Sequence, residues 1–234
     1  MREAIAPIQN KIGQFLLNPV IRNILGQVRR KISFRFIMDN QRIFIANLSK
    51  GRIGHDKANL LGSLLTTQFQ LAAMARADQS EDQRQDFYPF IDEFHNFSTD
   101  IFASILAEAR KYRLCLTLSH QYTDQLPQSV RQAVFGNIGT LISFQVGHTD
   151  AQLLENELGR NFSARQFVEL DRYQILVKLL EDGTHREPFR AGTILPSGKF
   201  LSHPPRLIAR SRERFATSRS AVEAKLNSWL AGRN

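Results

Sequence analysis

Apolar positions along the chain recur at two spacings, and the spacing predicts the elements. Ile5, Ile8, Ile12 and Phe15 lie three or four apart and predict a helix with one apolar face. Asn18-Pro19 breaks it, and Pro19 opens a second short helix closed by Gly26. The runs 33–38 and 42–47 alternate and read as strands, with a tight turn at Asp39-Asn40. Asp56 to Ala75 reads as a helix with Leu60, Leu61, Leu64 and Leu65 inward, and 77–85 as a polar loop. Residues 87–91 form an apolar run containing Pro89, so regular pairing is expected at or after that proline. Ser98 is a plausible cap for a helix carrying Phe102, Ile105, Leu106 and Ala109, and Leu114–Leu118 is rich in strand formers.

The remainder reads as a helix over 127–135, a strand over 139–145 and short helices over 149–158 and 164–170. Tyr173–Leu180 and Glu187–Thr193 predict an antiparallel pair turned at Asp182-Gly183. Pro204-Pro205 marks a linker, and a basic helix runs from Leu207 to Leu230 with Val222, Leu226 and Trp229 on one face. The elements predict an α/β fold with a mainly parallel sheet flanked by helices.

The chemistry concentrates where the apolar run 87–91 meets Asp92 and Glu93. Alternation along a strand sends adjacent side chains to opposite sides, so one carboxylate can face a magnesium shell and the other an attacking water. A solvated acidic turn after a strand is the plainer alternative. Downstream, the order is helix, Arg110-Lys111, strand, then Ser119-His120-Gln121. The carboxyl ends of strands in open α/β sheets are where ligands sit, so Asp92, Glu93 and Gln121 are expected on one edge.

Charge adds a partner class. The net charge is +9, and it is uneven. Residues 1–50 hold nine basic side chains against two acidic, and 205–234 hold seven against two. Arg29, Arg30 and Lys31 form the densest run and are the candidate nucleic-acid contacts. No aromatics interleave with them, so the signal is for phosphate and not for base sequence. Solvated helix faces account for the C-terminal cluster equally well. The single cysteine, Cys115, sits in an apolar strand with no base beside it and reads as a buried thiol. The six histidines show no metal-ligand spacing; His95 and His120 fall near the ligand edge. No apolar run is long enough to span a bilayer, and no signal peptide opens the chain.

Phe34-Arg-Phe-Ile-Met-Asp39, Ile43 to Gly54, Phe90-Ile-Asp-Glu-Phe94, Ala107 to Tyr112, Leu118-Ser-His-Gln121 and Gly136-Asn-Ile-Gly-Thr140 occur in a telling order. With them, residues 1–195 resemble the C-terminal part of the motor domain of type IV secretion coupling proteins. These are the TraD/TraG-like conjugative DNA-transfer ATPases of the HerA–FtsK group of P-loop NTPases. The resemblance implies a partial RecA-like core and a homo-hexamer working on DNA with the secretion or conjugation machinery. It implies ATP and Mg2+ as ligands of the complete motor, with Asp92 on the metal, Glu93 positioning water and Gln121 sensing the γ-phosphate. Arg110 would be supplied across a subunit interface. It also implies a cytoplasmic location at the inner membrane, reached through segments outside this sequence. In such motors the strand leading into the phosphate loop lies between the strands matching 114–118 and 139–145. Those two are therefore expected not to pair, leaving an apolar slot near Leu116, Leu118, Leu141 and Phe144.

One part of the pattern is missing. No G-x-x-x-x-G-K-[ST] loop occurs. Gly198-Lys199 is followed by Phe200 and two prolines, and Gly51 and Gly54 read as turn residues before a helix starting near His55 or Asp56. The expected division is a helical arm at 1–32, a motor core at 33–195, a linker at 196–206 and a basic helix at 207–234. Two functions compete: a motor fragment needing its other half, and a non-catalytic nucleic-acid or protein interaction module on a motor-like scaffold. A metal-dependent nuclease using Asp92 and Glu93 is weaker, because Leu114–Leu118 offers no further carboxylate or lysine.

Overall fold

The structure, a computed structural model, describes residues 17–27, 31–198 and 203–232. The helical face at Ile5 to Phe15 and the candidates Arg29 and Arg30 lie outside these residues. The chain divides into two units, Phe34–Gly198 and a second that combines residues up to Ser33 with those from Lys199.

In the second unit, α1 (Pro19–Leu25) starts as its sequence dictates. The Asn18 side chain accepts from the Val20 amide at 3.1 Å, and Gly26 closes the helix on the Arg22 carbonyl. Two helices stand where a single basic helix from residue 207 was expected. Pro204 does not extend a linker; it takes the first turn of α9 (Pro204–Phe215), where its missing N–H costs nothing. The chain then leaves the helix at Ala216, and Ser218 caps α10 (Arg219–Leu230). Val222 is buried, but Trp229 is 69% exposed, so the expected apolar face is only partly used. Leu226 packs against Gly26, and Asn23 donates to Glu223 at 3.2 Å.

The first unit begins with a correction. Residues 34–39 form helix α2 (Phe34–Asp39), not a strand. Phe34 and Met38 fall one turn apart and pack inward, and Arg35 pairs with Asp39 at i,i+4. Phe36, which a strand would have placed with Phe34, is 53% exposed. Residues 42–49 make no ladder either. Short helix α3 (Lys50–Ile53) and Gly54, at φ 88°, lead into α4 (His55–Met74). The α4 helix buries Ala58, Gly62, Ala72 and Ala73; Leu60, Leu61 and Leu65 are half-buried and Leu64 is exposed.

Strand β1 (Phe90–Ile91) is followed by α5 (Asp100–Glu108) and by β2 (Thr117–Leu118), which runs parallel to β1. The contact starts earlier, at Phe87 opposite Leu114. Bonds from Cys115 N to Phe87 O and Thr117 N to Pro89 O continue it. Residues 87, 89 and 91 therefore face β2, and the N–H that Pro89 lacks would lie on that side. This is why regular pairing begins at Phe90. Thr99, not Ser98, occupies the cap position of α5.

Helix α6 (Gln128–Asn137) packs on α5 over a core of Met38, Phe94, Phe102, Ile105, Val130 and Val134. A second cluster, around Leu154, Leu158, Phe167 and Leu176, joins α7 (His148–Glu157) and α8 (Ala164–Val168) to another sheet. That sheet is antiparallel, in the order β3 (Leu141–Ser143), β4 (Gln174–Lys178), β7 (Phe189–Gly192). The expected antiparallel pair of 173–180 with 187–193 is present as β4 and β7, and it is closed at its tip by β5 (Leu180–Glu181) and β6 (Thr184–His185), which turn at Asp182 and Gly183, both at positive φ. The expectation of a mainly parallel sheet is corrected. Among the described residues only β1 and β2 pair parallel, and the fold is mixed helix and strand with a small parallel sheet. Strands β2 and β3 do not pair with each other. Leu116 and Leu118 pack on the first core and Leu141 on the second, while Phe144 is exposed.

Candidate active site

The parallel pair carries Asp92, Glu93 and Gln121 to one edge. Gln121 donates its amide to Glu93 Oε1 at 2.7 Å, and Ser119 Oγ donates to Asp92 Oδ1 at 2.6 Å. The local route differs from simple alternation. The strand has ended at Ile91, and Glu93 sits at φ 51° and ψ 43°, a left-handed conformation uncommon outside glycine. The kink turns both carboxylates toward the segment after β2 in place of opposite strand faces. Phe94, buried beneath, holds the turn through its amide to Ser119 O at 2.9 Å.

Sequence reasoning missed two supports of this turn. Asn96 donates to the Glu93 carbonyl at 2.8 Å, and Lys50 Nζ donates to Asn96 Oδ1 at 2.7 Å. The Lys50 contact had no local signal, because Lys50 comes from a segment far away in sequence, and without it the short-range Asn96 bond had no reason to stand out. Gln41 binds Gln85 at 3.2 Å at the other end of that segment. Residues 42–49 are thus tethered at both ends, roughly parallel to β1. Between them lies a groove of about 1230 Å3, lined by Ile45, Phe69, Phe90 and Phe97 among others and reaching Asp92 and Glu93.

The two histidines take different surroundings. His95 Nδ1 lies 3.6 Å from Glu93 Oε2, too long for a hydrogen bond, and that nitrogen is buried without a partner. His120 stands edge-on to Phe94 at 5.3 Å. Burial pushes its pKa below the ordinary histidine value; Asp150 and Glu93 oppose the shift and His95 adds to it. Asp150, itself buried, accepts from the Thr123 amide at 3.2 Å and from the Thr123 hydroxyl. Cys115 is half-buried, and burial raises its thiol pKa, which keeps it protonated.

Arg110 is not brought to this cluster. It is exposed on the turn Ala109–Tyr112, at the start of the β2 segment, whereas Asp92 sits at the far end of the ladder. Roughly 16 Å of extended strand separates those ends. Lys31 belongs to the other unit and donates to the Ala216 carbonyl at 2.7 Å.

A divalent cation fits only sparsely. Asp92 Oδ1 is occupied by Ser119 and by the Glu93 amide, and among the described residues Oδ2 stays open. No group of three or more His, Cys, Asp or Glu side chains among the described residues is placed to hold a metal. One carboxylate oxygen suits magnesium, which keeps several waters and shares phosphate oxygens. The turn at Gly51 and Gly54 offers no lysine followed by a hydroxyl, and α4 starts at His55.

No protein-family model matches the chain, and no curated protein matches it. No helix among the described residues is long and apolar enough to cross a membrane.

Proposed function

We propose that this chain is the C-terminal part of an ATP-driven DNA-translocating motor of the coupling-protein kind. The observation that carries the reading is the meeting of Asp92, Glu93 and Gln121 at the carboxyl end of a parallel strand pair, with Gln121 bonded to Glu93. Magnesium, when bound with ATP, would neutralise charge developing on the phosphates. Asp92 Oδ2 is the oxygen free to face that cation through water. Glu93 orients the attacking water. In the structure the Gln121 amide bonds Glu93 Oε1, so on this reading the two side chains separate during turnover. Releasing that bond frees Gln121 to turn toward a γ-phosphate and Glu93 to take the water. Arg110, at the far end of the ladder, can serve such a site only on a neighbouring subunit, as in a homo-hexamer. Arg29, Arg30 and Lys31 supply non-specific contacts to DNA phosphates. In this reading the secretion or conjugation machinery is the partner, and the location is the cytoplasmic face of the inner membrane.

The missing phosphate loop favours the second reading, an interaction module on the same scaffold. One experiment separates them. The chain is joined at its N-terminus to the preceding half of a coupling-protein motor, and ATP hydrolysis is measured with Mg2+. Turnover is expected, and Glu93→Gln should lower it at least about a hundredfold. No turnover, or turnover indifferent to Glu93→Gln, overturns the motor reading and leaves the module.

A further inference from the structure

Helix α9 carries two stripes that no described residue of its own unit covers. Arg206, Arg210 and Arg214 recur every fourth residue and line one side. Leu207, Ile208 and Phe215 fall on the adjoining side. The helix buries no residue; Leu207 is 67% exposed and Ile208 47%. Among the described residues the arginines find as few partners as the apolar side chains. Among the described residues, none of Arg206, Arg210, Arg212 and Arg214 has an ion pair, whereas Arg35, Arg76, Arg165 and Arg219 are each held by a carboxylate. Arg214 lies 5.4 Å over the Phe215 ring, at the seam between the stripes. Glu213 is the helix's single acidic residue.

We propose that α9 docks on an anionic lipid surface, with its apolar stripe at the headgroup boundary and its arginines on lipid phosphates. Charge complementarity selects an anionic partner, and the apolar stripe selects among anionic partners. A nucleic-acid backbone would engage Arg206, Arg210 and Arg214 and leave Leu207, Ile208 and Phe215 in water. A bilayer interface accommodates both stripes at once. Twelve residues make a helix roughly 18 Å long, too short to cross the hydrocarbon core and suited to lying flat. This inference does not depend on the motor reading, since it concerns a different unit of the chain.

The test is co-sedimentation of the full chain with phosphatidylcholine vesicles, either neutral or carrying about 30 mol % phosphatidylglycerol, at moderate salt. Binding to the anionic vesicles should exceed binding to neutral ones by at least about tenfold. A triple variant, Arg206→Gln with Arg210→Gln and Arg214→Gln, should lose about tenfold, and so should Leu207→Ser with Ile208→Ser. Because α9 buries nothing, both variants should keep the wild-type circular dichroism spectrum. Equal binding to neutral and anionic vesicles overturns the proposal. So does anionic binding that needs the arginines but is untouched by Leu207→Ser with Ile208→Ser. Retention on a DNA duplex in preference to the anionic vesicles, lost in the arginine variant alone, assigns the helix to nucleic acid and also overturns it.

Discussion

Arg76 has no exposed surface, and its guanidinium is held at three points. Its Nε donates to Asp39 Oδ1 at 2.8 Å, and its Nη1 donates to the carbonyls of Gln85 at 2.8 Å and Tyr112 at 3.2 Å. Its Nη2 is buried without a partner. The side chain ties α2 to the loop before β1 and to the turn before β2, so its removal leaves two carbonyls unsatisfied. Arg76→Met should therefore cost about 3 kcal/mol, read from urea unfolding with an unchanged slope. Arg35 binds Asp39 and Asp78 in a largely solvated setting, and Arg35→Met should cost less than about 1 kcal/mol. If Arg76→Met proved neutral, desolvation of the orphan nitrogen would outweigh the three bonds. His120 makes a pH prediction. Burial holds its folded pKa below the unfolded value near 6.5, so the unfolded chain binds more protons. The stability that depends on neutral His120 is then fully present above about pH 6.5 and is lost as pH falls through the folded pKa. Unfolding free energies measured across mildly acidic pH should show this slope, and His120→Gln should flatten it.

At the scale of elements, α4 packs through its small residues. A Cβ on Gly62 would lie 2.0 Å from the Phe97 ring. Helix propensity alone makes Gly62→Ala stabilising by about 1 kcal/mol, but the clash forces the ring to move and costs about 1–3 kcal/mol. The expected net effect is a lowered melting temperature. In a Phe97→Ala background the same substitution should become stabilising, and that change of sign in a double-mutant cycle is the check. Gly62 also shows what the sequence could reveal. Periodicity and turn chemistry located α4, α5, α6 and the antiparallel β4–β7 pair, because each carries its own pattern. Periodicity pointed to the leucines as the inner face of α4, since nothing local signals that the neighbouring ring of Phe97 needs a glycine. The alternation of Phe34, Phe36 and Met38 reads as a strand, but Phe34 and Met38 also share a helical face, and the ion pairs of Asp39 with Arg35 and Arg76 accompany the helix. Residues 42–47 have strand-forming side chains, yet Ile43 is 90% exposed and Ile45 82%. A strand is completed by its neighbour, and here the edge of β1 stands across a groove. Asp92, Glu93 and Gln121 were legible because they close neighbouring elements of one crossover. Lys50 and Asn96 were not, because only the fold brings them together.

For the whole molecule, the decisive relation is between a carboxylate cluster that is assembled and a phosphate cradle that the sequence does not contain. Catalysis of phosphoryl transfer is mostly positioning: backbone amides and a lysine fix the β- and γ-phosphates before a base can direct water. On the proposed reading Glu93, held by Gln121 in the structure, would direct the water once released, and Asn96 and Lys50 keep its turn in place. What it lacks is an anchored substrate. Among the described residues β2 has β1 on one side only, and β3 pairs with β4 in a separate sheet. The 234-residue chain alone is therefore expected to show no ATP turnover above buffer with Mg2+, measured by phosphate release. Turnover in the isolated chain that disappears in Glu93→Gln would mean that phosphates are held without a G-x-x-x-x-G-K-[ST] loop. Lys50, an ammonium tethered to the Glu93 turn through Asn96, would be the first residue to substitute in search of that site.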